Sequence, residues 1–390
     1  MKQLTCLLLV LSLLLCGCGG TNATAPATDS QAEEIASGET VSVAETTETV
    51  VEPTEETTVP TEPPVYRNPL NGELLDAPFT GRVYASTVSN MQENMPHVGV
   101  NHADVVMEMY VNMNNIVRCL ALFTDIDSAE AIGSTRSTRP IFNDIAQHYD
   151  LVLSHAGGSS TALNDADSRG IDHFNVDTWE AYDSGASYRD KQYRRSLENS
   201  LFVNGPVFRS YAEAKGVAPE LEKDYGFRFT EDGTPADGEG AETISWTMVY
   251  KKAKKDTSFI YNAELDKYIW KQYGKEMRDQ ITGEPEGFTN VIIMFANITN
   301  NGIYHAADFT AGGIGYYANG GKLIPIVWAC DDEDSAFRFM TNDAESLEMG
   351  IGNTYIAIVT PESPVTWEAP EAPAPVQETA PSGETTAENG

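Results

Sequence analysis

Three arginines are placed where they could form one anion site. Arg136 and Arg139 lie three residues apart immediately before a predicted helix, so both can face the same side of its first turn. Arg118, on a nearby predicted strand, would add a third positive charge. Guanidinium groups bind carboxylates and phosphates through paired hydrogen bonds, and a helix start adds unpaired N–H donors. The alternative is that the arginines pair with internal carboxylates such as Asp125, Asp127 or Asp144.

A glycine-rich loop between a predicted buried strand and a predicted helix is the second candidate. It contains His155, Gly157, Gly158, Ser159 and Ser160. The glycines allow the backbone to approach a ligand closely, and the helix start favours an anion. The loop has neither the Gly-Lys-Thr/Ser pair of a nucleotide-binding loop nor the Gly-x-Ser-x-Gly of a nucleophile elbow. The arginines and this loop are predicted to share one ligand-binding surface.

The same loop has a catalytic interpretation. His155 with Ser159 or Ser160, oriented by Asp172, would form an activated nucleophile. Proximity in sequence does not establish that geometry, and the alternative is a tight turn whose serine caps the next helix. No pair of His and Asp has the spacing of a zinc site, and the acidic run at 331–334 lacks the EF-hand glycine. The sequence therefore predicts no metal site and specifies no cofactor.

The elements around these residues predict an α/β region over 67–230. Strands are predicted at 82–88, 104–110, 117–123 and 150–154 from their apolar or alternating patterns. A helix is predicted over 139–149, with Pro140 in its first turn, and further helices at 161–167 and 207–215. Strand, helix, strand and glycine loop in succession are typical of an α/β fold.

A polar, turn-rich stretch at 231–240 predicts the boundary to a mainly β region over 240–362. The predicted strands are 243–250, 258–262, 267–272, 291–296, 313–317, 323–330 and 354–359. Asn319-Gly320 marks a tight hairpin. The aromatic residues Tyr261, Trp270, Tyr316, Tyr317 and Trp328 would either stack on sugars or pack in the core. Cys119 and Cys330 lie in apolar runs, which leaves a disulfide or two buried thiols open.

Composition and the first residues predict where the protein resides. The 390-residue chain has 58 acidic and 25 basic residues, a formal charge of −33, which argues against a nucleic-acid binder.

Residues 1–17 read as a signal peptide, and Leu15-Cys16-Gly17-Cys18 resembles a lipobox in which Cys18 is lipidated. Ordinary secretion is the alternative. Acidic, Pro- and Thr-rich composition predicts a disordered tether over 18–66 and a disordered tail over 363–390.

Several short motifs occur along the chain in a recognisable order. They are Asp104–Glu108, Ile116-Val117-Arg118, Ile132 to Pro140, His155-Ala156-Gly157-Gly158-Ser159, Tyr188-Arg189-Asp190, Gly283, Asn290-Val291-Ile292, Trp328 and Gly352 to Ile356. Together they resemble the motifs of the YerB-like lipoprotein family, a bacterial two-domain family of unknown function. Ser134 and Thr138 depart from the family's pattern, but every arginine of it is kept. The resemblance implies an envelope lipoprotein and supplies no activity.

The function predicted first is non-catalytic: a lipoprotein on the extracytoplasmic face of the cell membrane whose head binds an anionic or carbohydrate envelope component. A second hypothesis is an envelope hydrolase or transferase acting on a phosphate-containing polymer or lipid-linked precursor, with the arginines stabilising phosphate charge. A third is an assembly partner that binds another protein through the β region. The membrane, through the lipid anchor, is the one partner common to all three.

Overall fold

The computed structural model describes residues 64–112, 114, 116–192 and 196–370. Four α-helices are present in this part of the chain: α1 Pro140–Tyr149, α2 Ser160–Arg169, α3 Trp179–Ser184 and α4 Gly205–Ala214. Strands of the first region are β1 Tyr66–Arg67, β2 Leu74–Leu75, β3 Tyr84–Ser89, β4 Val105–Tyr110, β5 Val117–Phe123, β6 Ile132–Gly133, β7 Val152–His155, β8 His173–Asn175, β9 Ser187–Arg189, β10 Leu201–Val203 and β11 Arg228–Thr230.

The rest of the described chain contains strands and no α-helix. These strands are β12 Glu239–Gly240, β13 Thr243–Tyr250, β14 Ala253–Asn262, β15 Lys267–Gln272, β16 Lys275–Glu276, β17 Gly287–Phe288, β18 Asn290–Phe295, β19 Ile298–Asn301, β20 Tyr304–Ala307, β21 Gly313–Asn319, β22 Lys322–Ala329, β23 Arg338–Thr341, β24 Glu348–Gly350, β25 Thr354–Val359 and β26 Val365–Glu368. The predicted change from a mixed α/β region to a mainly β region is confirmed.

One eleven-stranded sheet runs through both regions. Its order is β12-β22-β21-β18-β25-β4-β5-β3-β7-β8, with β23 paired to β22. β25 pairs in parallel with β18 on one side and with β4 on the other, so main-chain hydrogen bonds join the two regions. Alternate residues of β5 enter two hydrophobic cores, one on each face of the sheet. This explains why β4 and β5 are apolar on both faces except for one charged residue each, Glu108 and Arg118.

Helix α1 follows from local sequence rules and positions the candidate site. Arg139 is its N-cap in an extended conformation, and Pro140 occupies the first turn, where the missing N–H costs no hydrogen bond. Ile141, Ile145 and Tyr149 are fully buried against the sheet. The helix ends at Asp150, which adopts a left-handed conformation (φ 49°). The residues just before α1 are therefore held against the sheet by the packing of the helix itself.

A second sheet includes residues that the sequence analysis assigned to a disordered C-terminal tail. It has the order β16-β15-β14-β13-β26, with β17 paired to β15. β26 pairs antiparallel with β13, and the Trp367 indole N–H donates to Glu239 at 3.0 Å. The prediction of a disordered segment from residue 363 is therefore wrong for 363–368. Val365 and Trp367 alternate with polar residues, and this pattern is hidden by the surrounding Pro and Glu.

Other predictions fall on the core or outside the described residues. Cys119 and Cys330 are buried free thiols, and Trp270, Tyr317 and Trp328 are buried in the core. The signal peptide, Cys18 and nearly all of the predicted tether lie outside the described residues. Among the helices that are described, none combines the length and the apolar character that a membrane span requires.

Candidate functional site

Arg118 forms the buried floor of the candidate site. It lies near the start of β5, and only 3% of its surface is exposed. Its Nη1 donates to the carbonyl oxygen of Ser137, while its Nε has no hydrogen-bond partner. Burial lowers the pKa of Arg118 well below its usual value, and the positive charges of Arg139 and Arg136 lower it further. The charge of Arg118 is thus desolvated and repelled by two neighbouring cations.

Arg139 is the second guanidinium of the site and is half-buried. Its Nη1 donates to the carbonyl of Thr138 at 2.6 Å, and its Nε is buried without a partner. The guanidinium lies over the ring of Tyr304, 4.8 Å from the ring centroid, which is the geometry of a cation–π contact. Burial lowers the pKa of Arg139, and the charge of Arg136 acts in the same direction.

Arg136 forms the rim and has a carboxylate partner. Its Nη1 donates to the carbonyl of Glu198 and to the side-chain oxygen of Asn199, both at 2.9 Å. Its Nη2 forms an ion pair with the Glu198 carboxylate. The Glu198 side chain is 75% exposed, so water competes with this pair. The rim arginine is therefore neutralised only by an exposed acid.

The three arginines, which we call the arginine cluster, lie close enough together that the charges of Arg136 and Arg139 lower the pKa of Arg118. The alternative of internal pairing fails for Arg118 and Arg139, which have no carboxylate within 4 Å among the described residues. Asp144, a proposed internal partner, instead pairs with Arg169 at 3.0 Å. The cluster therefore retains two cations that the described part of the protein does not neutralise.

The glycine-rich loop lies beside the arginine segment through its backbone. Ala156 N–H donates to the carbonyl of Arg136 at 2.9 Å, and Thr138 N–H donates to the carbonyl of Gly157 at 3.0 Å. Gly157 has φ +65°, which favours glycine, and a Cβ on Gly158 would clash with Thr138 and Leu163. These glycines permit close contact between two protein segments, so their small size has an internal explanation.

His155 is positioned by its own neighbours and is completely buried. Its Nδ1 lies 2.8 Å from the carbonyl of Gly157, which can only accept, so Nδ1 carries the proton. Its Nε2 then accepts from Nδ1 of His173 at 3.0 Å, and Nε2 of His173 faces Asp167 at 3.1 Å. Burial, with a smaller effect of His173, lowers the pKa of His155 to about 3. Both nitrogens are engaged internally.

The predicted catalytic arrangement of His155, Ser159 and Asp172 is wrong. Asp172 does not orient His155, because its carboxylate bonds Arg82 at 3.0 Å. Ser159 is the N-cap of α2, and its Oγ accepts from the N–H of Ala162 at 3.1 Å. The serine-capped turn, the alternative in the sequence analysis, is what the structure contains.

Sequence reasoning missed Tyr304, Glu198 and Asn199 as neighbours of the arginine cluster. Tyr304 begins β20, far along the chain, and no local pattern ties it to Arg139. The Tyr188-Arg189-Asp190 motif gave an indirect signal for Glu198, because Arg189 donates to the carbonyl of Leu197 and so holds that segment. No group of three or more metal-ligating side chains occurs in the described ranges.

A polar cleft of about 550 Å³ lies elsewhere, between the two regions. Asp104 lies at its wall, and its carboxylate accepts from Asn71 at 2.6 Å and from the N–H and hydroxyl of Thr124 at 2.7 and 2.8 Å. Burial raises the pKa of Asp104 despite these hydrogen bonds. Because Asp104 is saturated by internal donors, the cleft's most buried charge is structural.

The comparisons agree with the motifs. Two sequence profiles match, described as the N-terminal and C-terminal domains of a protein of unknown function, DUF3048, over residues 70–218 and 246–356. A Bacillus subtilis protein named "Putative lipoprotein YerB" is 24% identical over 305 residues, covering 75% of this chain and 88% of that protein. The crystal structure of YerB from Bacillus subtilis matches with a TM-score of 0.65 at 22% identity, covering 77% of this chain and 99% of that one, which supports the fold. Since the two profiles together match more than half of its residues, the chain belongs to the DUF3048 family.

Proposed function

We propose that this chain is a lipid-anchored envelope protein whose arginine cluster binds an anionic component of the bacterial cell envelope. One observation carries the proposal: Arg118 is buried and Arg139 half-buried, and neither has a carboxylate partner in the described chain, where Arg136 is the arginine of the cluster that has one. An unpaired buried charge is costly, and an external anion would remove that cost. We propose binding and not catalysis because His155, the acid or base of the enzyme hypothesis, is buried and both of its ring nitrogens are engaged internally.

The anchor rests on the sequence and on the name of the relative. Leu15-Cys16-Gly17-Cys18 resembles a lipobox, and the Bacillus subtilis relative is named a lipoprotein. Two acyl chains on Cys18 would hold the protein stably at the extracytoplasmic face of the membrane. Labelling with radioactive palmitate should mark the wild-type chain and not Cys18→Ser. Equal labelling of both would contradict the anchor at Cys18.

Retention on isolated cell-wall polymers tests the binding. We expect the wild-type chain to be retained and the Arg136→Ala/Arg139→Ala variant to be released at low salt, because two of the three guanidiniums are gone. The control is Arg228→Ala, which removes an exposed arginine that pairs with Asp224. Circular dichroism should show that both variants keep the fold. Equal retention of the double variant would contradict the proposal.

A further inference from the structure

The number of unpaired charges in the arginine cluster indicates how many negative charges its ligand should have. The cluster has three guanidiniums, and Glu198 is the one carboxylate paired with any of them among the residues described. Two positive charges therefore remain. A ligand group with a single negative charge would leave at least one of these two cations without a counter-charge, whereas a dianionic group would neutralise Arg118 and Arg139. If the ligand also displaces Glu198 from Arg136, one net positive charge remains, and it lies at the more exposed Arg136.

The origins of the three side chains differ. Arg118 extends from strand β5, Arg136 from the segment that hydrogen-bonds to Thr87 and Ala156, and Arg139 from the N-cap of α1. Carboxylates offer two oxygens in one plane, while a terminal phosphoryl group offers three oxygens in a tetrahedral arrangement. Three donors from three backbone positions match the second geometry better.

The N-terminus of α1 adds to the positive electrostatic potential at the arginine cluster. Arg139 makes no side-chain cap bond, and Pro140 follows it in the first turn of a ten-residue helix. The positive end of the helix dipole therefore lies beside the cluster and favours negative charge there. A second, independent observation points to a ligand here: Arg118 is buried, its Nη1 bonds the carbonyl of Ser137 just before this helix start, and its Nε has no partner.

We propose that the arginine cluster binds a dianionic terminal phosphoryl group, a phosphate monoester or a diphosphate, and that this group displaces the Glu198 carboxylate from Arg136. The inference rests on the proposed function and specifies its ligand class. Glu198 shows that an oxygen anion fits the rim, and its exposed position makes it exchangeable. Tyr304 contacts the face of the Arg139 guanidinium, so the N–H groups that do not bond the Thr138 carbonyl are left for the ligand.

Calorimetry on the full chain in detergent tests the ligand class. The probes are glycerol 3-phosphate as the monoester, pyrophosphate, dimethyl phosphate as a monoanionic diester, and succinate as a carboxylate dianion. We expect glycerol 3-phosphate and pyrophosphate to bind at least about tenfold more tightly than dimethyl phosphate and succinate. The monoester should also bind more weakly at pH 5 than at pH 7.5, because its second ionisation has a pKa of about 6.

Variants assign the binding to the cluster. Arg118→Met should weaken glycerol 3-phosphate binding at least about tenfold, and Arg118→Lys should recover only part of it, because lysine keeps the charge and loses the fork. Arg228→Met is the control and should bind as wild type. If Arg118→Met fails to fold, Arg139→Met replaces it.

The outcomes separate the inference from the proposed function. If succinate binds as tightly as the phosphates and Arg118→Met loses both, the cluster is an anion site and the phosphoryl assignment is overturned. If no small probe binds although wall polymers are retained through Arg136 and Arg139, the phosphoryl assignment is again overturned while the proposed function stands. If phosphates bind equally to wild type and to Arg118→Met and Arg139→Met, both fail.

Discussion

Two parts of this molecule contain buried charges that differ in whether they have internal partners. Glu108 on β4 is fully buried and forms an ion pair with Lys255 on β14 at 2.5 Å. Its oxygens also accept from the hydroxyl of Tyr355 at 2.6 Å and from the side chain of Asn90, and Lys255 donates to Thr257. Arg118 is almost as buried but has one carbonyl partner and two cations beside it.

The difference separates charges that stabilise the fold from charges available to a ligand. The Glu108–Lys255 pair joins the first region to the second and has its hydrogen bonds supplied internally, as a structural pair requires. Arg118 and Arg139 lack a carboxylate partner in the described chain, so the electrostatic cost of burying them is best offset by an external anion. Stability should therefore depend strongly on the first group, and binding on the second.

Breaking the Glu108–Lys255 pair should have the largest effect on stability. Lys255→Met leaves Glu108 buried without its cation, which we expect to lower the free energy of unfolding by about 3–5 kcal/mol. Urea unfolding followed by fluorescence measures this value. The double variant Glu108→Gln/Lys255→Met is the matched control, since it removes both charges and should recover most of the loss. Equal destabilisation of the single and double variants would contradict an ionic origin.

A third buried titratable group, His155, is neutral, and the pH dependence of stability tests its role. His155 has a pKa of about 3 in the folded protein because it is buried, so the unfolded chain binds its proton first as pH falls. The stability that the neutral His155 contributes is therefore complete above about pH 6.5 and is lost as the pH falls toward 3. The loss amounts to about 3 kcal/mol by pH 4. His155→Gln should lose less stability than wild type over this range. Parallel curves for the two proteins would contradict this assignment.

Local sequence patterns predicted most elements but not how they join. The apolar run Val117–Phe123 became β5 without a change of bounds, and Pro140 with Ile141, Ile145 and Tyr149 marked α1. The parallel pairing of β25 with β4 joins residues far apart in sequence, so no periodicity could reveal the shared sheet. β26 was missed because its alternation lies within a Pro- and Glu-rich stretch.

The candidate site was predicted from residue types and then refined by burial. Spacing and charge type were sufficient to group Arg136 and Arg139 with Arg118. The glycine loop was overinterpreted, because the sequence gives no indication that His155 turns inward to meet His173. Tyr304 could not be predicted, since its contact with Arg139 depends on how the β19–β20 hairpin packs on α1.

Removing Arg118, the floor of the arginine cluster, should lower stability much less than breaking the Glu108–Lys255 ion pair does. Arg118→Met loses one hydrogen bond to Ser137 but also removes a desolvated charge, so we expect the free energy of unfolding to fall by no more than about 1 kcal/mol. The measurement is the same urea titration used for Lys255→Met. A loss as large as that of Lys255→Met would show that Arg118 is a structural charge and would remove the contrast on which the binding site depends.

The smallest effect should come from the exposed acid at the rim. Glu198→Gln removes the internal competitor for Arg136, so affinity for glycerol 3-phosphate should rise by about two- to fivefold, and less at high salt. Asp224→Asn is the matched control, because it removes an exposed carboxylate that pairs with Arg228 outside the cluster. Calorimetry at about 50 and about 300 mM salt compares the two variants. Because both change the net charge equally, a larger gain in affinity for Glu198→Gln than for Asp224→Asn is due to the position of Glu198 beside Arg136. Unchanged affinity in Glu198→Gln would mean that the ligand does not compete for Arg136, and the rim would then be a structural pair like Glu108–Lys255.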